Sequence, residues 1–185
     1  TTADLIFQEN GNINAYFGSD LASVDFNSDG YDDLLVGAPN DRDVFLYFGG
    51  SDMDTVADGV FHRLFWSLNT AGDFNNDGLP DIVVLNNFPS NSFLFKNTYA
   101  GPNNWIKVNL VGLESNNDGY GSILELYSGD LIQSRLSHST HGYISQNANT
   151  IFFGIDTNLK IDSLIIRWSS GIIDKIVDPN INSTL

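Results

Sequence analysis

The chain has no cysteine, which excludes disulfides, thiolate metal sites and cysteine nucleophiles. No apolar run approaches the roughly 18 residues of a membrane-spanning helix, and no basic-then-apolar leader opens the sequence. Positive charge is scarce: Lys and Arg number 8 against 23 acidic residues, for a formal charge of −15. A field of that sign repels phosphate backbones and anionic lipid surfaces, so neither nucleic acid nor membrane insertion is expected. Convincing helical periodicity is missing as well. The sequence opens at Thr1 rather than Met, which reads as a processed or trimmed product.

What is present is enough for a core. At 185 residues, with 42% hydrophobic and 12% aromatic content, the chain can build one large domain or two small ones. Its apolar segments are short, rich in Val, Ile, Phe and Tyr, and cut by Gly, Asn, Asp and Ser clusters about every ten residues, which is an all-β pattern. Strands are expected over residues 4–8, 21–25, 33–37, 44–48, 60–66, 82–85, 92–95, 105–111, 122–128, 131–137, 150–154, 161–168 and 172–177. Val44–Phe48 is apolar on both faces and reads as buried between layers. In the 105–111 strand, Ile106, Val108 and Leu110 alternate with Lys107 and Asn109, which reads as one face in water. The turn-forming cluster Ala100-Gly101-Pro102-Asn103-Asn104 marks a domain boundary.

The most informative stretch is Asp25-Phe26-Asn27-Ser28-Asp29-Gly30-Tyr31-Asp32-Asp33. Oxygen side chains stand at its first, third, fifth and ninth positions, with a glycine after the fifth, as in loops that wrap hard cations. It recurs 48 residues later as Asp73-Phe74-Asn75-Asn76-Asp77-Gly78-Leu79-Pro80-Asp81, and each copy runs straight into an apolar strand. The expected ligands are Asp25, Asn27, Asp29, the Tyr31 carbonyl and Asp33 in the first loop, and Asp73, Asn75, Asp77, the Leu79 carbonyl and Asp81 in the second. Oxygen donors without His or Cys favour calcium over zinc or copper, and their number favours it over magnesium. A helix-flanked calcium hand is excluded, because the twelfth positions are Val36 and Val84 rather than Glu. The competing reading is a pair of ordinary Asp/Asn/Gly turns. Two calcium ions are expected, and they would serve a cysteine-free extracellular protein as staples, since external calcium can saturate even weak sites.

Phe17-Gly18, the first loop and Val36-Gly37-Ala38-Pro39 together resemble the FG-GAP repeat, and Asp73–Val84 resembles the related VCBS form. Integrin alpha-subunit propellers carry such repeats as calcium-binding blades. The resemblance implies about one four-stranded blade per repeat, with Asp25, Asn27, Asp29 and Asp33, then Asp73, Asn75, Asp77 and Asp81, as ligands. The second repeat departs from the pattern, with Leu85-Asn86-Asn87 where Gly-Ala-Pro would sit.

Further on, Asn104-Trp105-Ile106-Lys107-Val108, Ser115 to Gly121, Gly142-Tyr143-Ile144-Ser145-Gln146, Phe153-Gly154 and Ile166-Arg167-Trp168-Ser169-Ser170-Gly171 resemble the ASPIC/UnbV domain. That domain typically follows such repeats in secreted acidic proteins. Ser169 stands where Pro is usual, and Ile155-Asp156 where Leu-Gly is usual. The expected fold is therefore all-β: two propeller-type blades forming an incomplete propeller, then a C-terminal antiparallel β-sandwich or barrel-like domain. Residues 1–9 form an N-terminal strand, a candidate for donation to a neighbour, because two blades leave unpaired edges. Residues 10–100 hold the two calcium-binding repeats, 101–178 the ASPIC/UnbV-like domain and 179–185 a tail.

Other residues weigh less. The stretch from Glu114 to Gly121 lacks a ninth-position carboxylate and reads as a turn. His138, Thr140, His141 and Tyr143 read as a solvated strand-turn, and Ser137, Ser139 and Ser145 beside them stand in no nucleophile elbow, so no enzyme is expected. Trp168 reads as core. Trp105 reads as a boundary-packing aromatic, or as a weak platform for a glycan. Asn182-Ser183-Thr184 is the one N-glycosylation sequon. The function expected is a non-enzymatic, extracellular or cell-surface calcium-binding structural or adhesive subunit, which associates with itself as a strand-exchanged fibre or with another extracellular protein. The alternative is a carbohydrate- or protein-recognition module of a larger secreted protein.

Overall fold

The structure is a computed structural model and describes residues 5–7, 16–62, 68–75, 77–84, 91–139 and 149–185. All of its regular elements are strands. β1 (Asp20–Val24), β2 (Asp33–Ala38), β3 (Asp43–Tyr47) and β4 (Gly59–His62) form an antiparallel meander in that order. β5 (Leu68–Gly72), β6 (Asp81–Val84) and β7 (Phe93–Phe95) form a second one. β1 and β5, like β2 and β6, begin 48 residues apart, so the repeat seen in the loops governs the strands around them. Each Asp-rich loop crosses from a first to a second strand.

The first sheet has the four strands expected of a blade, the second has three among the described residues, and the two share one core. Leu35, Val44, Leu46, Ile82 and Val84 are buried together, with Ala22, Val24, Phe26, Phe48, Phe61 and Phe95 packed on them. Full burial of such side chains contributes about 1.5–3 kcal/mol each. Alternate residues of β2 and β6 point into this core.

The C-terminal half is a pair of sheets. β9 (Ile123–Ser128), β10 (Leu131–Leu136), β12 (Ser163–Arg167) and β13 (Ile173–Val177) form an antiparallel sheet in the order β10-β9-β12-β13. β8 (Trp105–Val108), β11 (Ile151–Gly154) and β14 (Ser183–Thr184) form a second, in the order β11-β8-β14. Ile106, Val108, Leu124, Leu126, Phe153, Leu164 and Ile166 meet between the sheets, which makes this half a sandwich of open sheets and not a closed barrel. Trp168 packs against that core as expected, its indole N–H donating to Asp174 Oδ2 at 2.7 Å.

Four expectations need correction. Residues 179–185 are not a free tail: β14 pairs in parallel with β8, Leu185 N–H donates to the Lys107 carbonyl at 2.9 Å, and Ile181 packs on the core. Residues 5–7 carry no strand, and the Phe7 ring sits 4.9 Å from that of Tyr47, so this part of the candidate donor segment already has a partner in its own half. The polar strand β5 was not expected from its apolar content. Lys107, expected in water, is buried, because its face of β8 is covered by the second Asp-rich loop. Residues 63–66 of the expected 60–66 strand, and Thr140, His141, Tyr143 and Ser145, lie outside the described residues, while His138 is exposed and Glu114–Gly121 forms turns as expected.

Candidate metal centre

The two loops fold alike to the level of single hydrogen bonds. In the first, Asp25 Oδ1 accepts from Asp29 N–H at 3.0 Å and Oδ2 from Gly30 N–H at 3.0 Å. Asn27 Oδ1 accepts from Asp29 N–H at 3.0 Å, and Asp29 Oδ1 from Tyr31 N–H at 2.8 Å. Asp33 closes the loop, taking Phe26 N–H at 2.6 Å and Gly49 N–H at 2.8 Å. In the second, Asp73 takes Asp77 N–H at 3.0 Å and Gly78 N–H at 2.8 Å, Asn75 takes Asp77 N–H at 2.8 Å and Asp77 takes Leu79 N–H at 3.1 Å. Asp81 takes Phe74 N–H at 3.0 Å and Asn97 N–H at 2.8 Å. Asn97 thus stands where Gly49 stands in the first repeat. Its side chain also donates to the Phe26 carbonyl at 2.7 Å and ties the blades together, a role that no sequence pattern marked.

Asp residues suit these positions because a short carboxylate can accept from N–H groups two to five residues on, bending the chain into a tight crossing. The glycine after the fifth position is required: Gly30 has φ +94° and Gly78 φ +95°, in the left-handed region.

Both loops dock on the C-terminal half. Gly154, at the end of β11, donates its N–H to Asp25 Oδ2 at 3.0 Å, and Asp156 N–H donates to the Ser28 carbonyl at 3.0 Å. Asn103 Nδ2 donates to the Asn27 carbonyl at 3.0 Å. In the second loop, Lys107 of β8 places its ammonium 2.6 Å from Asp73 Oδ2. The Trp105 indole lies against Gly78, where an added Cβ would fall 2.0 Å from Cζ2. Trp105 also stacks on Phe152, with centroids 6.2 Å apart. It is an interface aromatic, half-buried between the halves of the chain.

Electrostatics separate the loops. Asp25 and Asp33 are buried. Burial pushes the Asp25 carboxyl up to about 7, with Asp29 and Asp33 nearby adding to the effect, and burial pushes Asp33 up to about 6. The Ser28 hydroxyl is buried in the same loop and has no hydrogen-bond partner among the described residues. In the second loop, burial works against the charged form of Asp77, but the Leu79 N–H and the Lys96 ammonium hold its carboxyl below the ordinary range.

In donor chemistry the first loop suits a hard cation: oxygen donors and, among the described residues, buried carboxylates with no cation bonded to Asp25 or Asp33 and a Ser28 hydroxyl with no partner. The carboxylates are turned onto N–H groups of the loop, of Gly49 and of Gly154, and among the described residues no group of three or more His, Asp or Glu side chains is arranged to hold a metal ion. The second loop fits less well, since Lys107 already occupies the Asp73 carboxylate. Asn182, the sequon residue, is tied down, accepting from Trp105 N–H at 3.1 Å and donating to Asn104 Oδ1 at 2.7 Å.

The family model described as FG-GAP repeat matches residues 17–51, the first loop and its strands. The model described as ASPIC and UnbV matches residues 112–185. The chain carries an FG-GAP repeat followed by an ASPIC and UnbV domain. Integrin alpha-5 of Xenopus laevis is 33% identical over 88 residues, covering 38% of this chain and 8% of the relative. Integrin alpha-6 of Gallus gallus is 36% identical, covering 37% and 8%. A phosphatidylinositol-glycan-specific phospholipase D of Rattus norvegicus is 35% identical, covering 38% and 11%. The chain thus spans about a tenth of the length of these relatives. The FG-GAP match ends soon after Gly49, the residue that caps Asp33, while the ASPIC and UnbV match runs through β14 and includes the last residue.

Proposed function

We propose that the chain is a non-enzymatic calcium-binding structural module of an extracellular or cell-surface protein, serving adhesion or recognition. In this reading the Asp25–Asp33 loop is a clip, and the ion it holds fixes the repeat half against the ASPIC and UnbV domain. The observation that carries it is the bond from Gly154 N–H to Asp25 Oδ2, which puts a backbone donor of the C-terminal domain on the first ligand of the loop. Asp25, Asn27, Asp29, the Tyr31 carbonyl and Asp33 would be the protein ligands. Kinship to both integrin alpha chains and a phospholipase D supports a scaffold shared by proteins of different activity, with another extracellular protein as partner. Trp105 is packed on Gly78 and Phe152, so protein recognition is favoured over a glycan platform.

Thermal unfolding with millimolar calcium and with excess chelator tests the proposal. An ion present at about 100 times its dissociation constant stabilises by about 2.7 kcal/mol, so calcium should raise the melting temperature by several degrees. Asp29→Ala should abolish that rise. Identical melting of the wild type in calcium and in chelator would refute the proposal.

A further inference from the structure

The two loops share a backbone and differ in what faces their carboxylates. In the Asp73–Asp81 loop, Lys107 Nζ lies 2.6 Å from Asp73 Oδ2, with the two side chains 6% and 8% exposed. Lys96 Nζ lies 3.2 Å from Asp77 Oδ2. That loop therefore holds three aspartates and two ammonium groups. In the Asp25–Asp33 loop, among the described residues, no Lys, Arg or His side chain pairs with Asp25, Asp29 or Asp33. The nearby Arg135 pairs instead with Asp32 Oδ1 at 2.9 Å and donates to Gln133 Oε1 at 3.2 Å. Where Lys107 reaches the second loop from β8, the first loop receives the backbone of Gly154 from β11.

A divalent ion entering the second loop would have to expel a buried ammonium from its carboxylate, leaving that charge in a dry site without its counter-ion. It would also meet a weaker field, because two of the three carboxylates are already neutralised. In the first loop no buried ammonium has to be expelled, because Arg135 is bonded to Asp32 and not to Asp25, Asp29 or Asp33. We propose that the chain binds one calcium ion and not two: the Asp25–Asp33 loop takes the metal, and the Lys107 ammonium stands in for it in the Asp73–Asp81 loop. This inference rests on the calcium reading of the first loop. It deepens that reading by making the second loop a permanent joint, closed at any calcium concentration. Lys107 also sits 5.2 Å from the centroid of the Trp105 ring, which packs on Gly78, so ammonium and indole seal the loop together.

The test is a count of ions by native mass spectrometry and calorimetric titration of the 185-residue chain with calcium chloride. The wild type should bind one ion, Asp29→Ala none, and Asp77→Ala still one. Lys107→Met should gain a second ion. Two ions on the wild type, or a single ion that Asp77→Ala removes, would overturn the inference while leaving calcium binding standing. No ion on the wild type would overturn the calcium reading itself. A folded Lys107→Met that still binds one ion would show that Lys107 does not close the loop and would overturn the inference. If that variant does not fold, the counts on the wild type and Asp77→Ala decide.

Discussion

Gly154 donates its N–H to Asp25 Oδ2 at 3.0 Å across 129 residues of sequence. The carboxylate so engaged also takes the N–H groups of Asp29 and Gly30, so one buried acid gathers its own loop and a strand end of the other domain. A carboxylate inside a protein is tolerated when several donors surround it. Here the donors come from both halves, which makes the loop a joint as well as a turn.

Gly154 has no room for a side chain. An added Cβ would lie 2.0 Å from Asp25 Oδ2 and 2.5 Å from the Ser28 carbonyl carbon, which is backbone and cannot swing aside. Gly154→Ala should therefore destabilise by about 1–3 kcal/mol, as overpacking does, and lower the melting temperature by roughly 3–10 °C for a chain of this length. It should also reduce the calcium-induced rise. A scan with and without calcium measures both.

The buried aspartates set a pH dependence for the calcium-free protein. Burial raises Asp25 to about 7 and Asp33 to about 6 from an ordinary 3.8, so the folded state holds these protons more tightly than the unfolded state. Their contribution is fully present below about pH 4 and is lost as pH rises through 6 to 7. In chelator the protein should thus melt several degrees higher at pH 5 than at pH 8, and Asp25→Asn should flatten that slope. A calcium-free protein that is more stable at pH 8 would contradict the assignment.

The C-terminal segment should prove structural. Ending the chain at Asp178 removes the bonds from Asn182 N–H to the Trp105 carbonyl, from Leu185 N–H to the Lys107 carbonyl and from Asn109 N–H to the Leu185 carbonyl, together with Ile181 from the core. At about 1 kcal/mol net for each bond and about 1–2 kcal/mol for the partly buried isoleucine, the loss is on the order of 4 kcal/mol. Urea unfolding should show a clearly lower midpoint. An unchanged midpoint would return the segment to the status of a tail.

The loops were legible because their chemistry is written in residue types at fixed spacing, twice, and because Phe26 and Phe74 each precede the same Asn. Strand β5 was not, since Leu68-Asn69-Thr70-Ala71-Gly72 offers almost no apolar alternation. The 48-residue shift from β1 lands on it, so the repeat held the signal that hydropathy lacked. Lys107 was misread for a physical reason: alternation along 105–111 shows that Ile106 and Val108 face a core, but one strand's pattern cannot show that a distant acidic loop covers its other face. Ile181 was likewise an isolated apolar residue among Asn and Ser, too sparse to announce a strand.

Lys107 supplies the sharpest stability prediction. Removing one partner of a buried ion pair leaves the other charge uncompensated, at a cost of about 3–5 kcal/mol. Lys107→Met should therefore melt well below the wild type in chelator, because Asp73 keeps its loop N–H groups but loses its cation. Lys107→Met/Asp73→Asn removes the stranded charge and should recover a large part of the loss. Calcium should also recover part of it in the single variant, by binding where the ammonium sat. It should do nothing extra for the double variant, whose loop has lost a carboxylate. A Lys107→Met variant within a degree or two of wild type in chelator would mean that the pair contributes little. A double variant no better than the single would locate the loss in the packing of the lysine stem against Trp105 rather than in its charge.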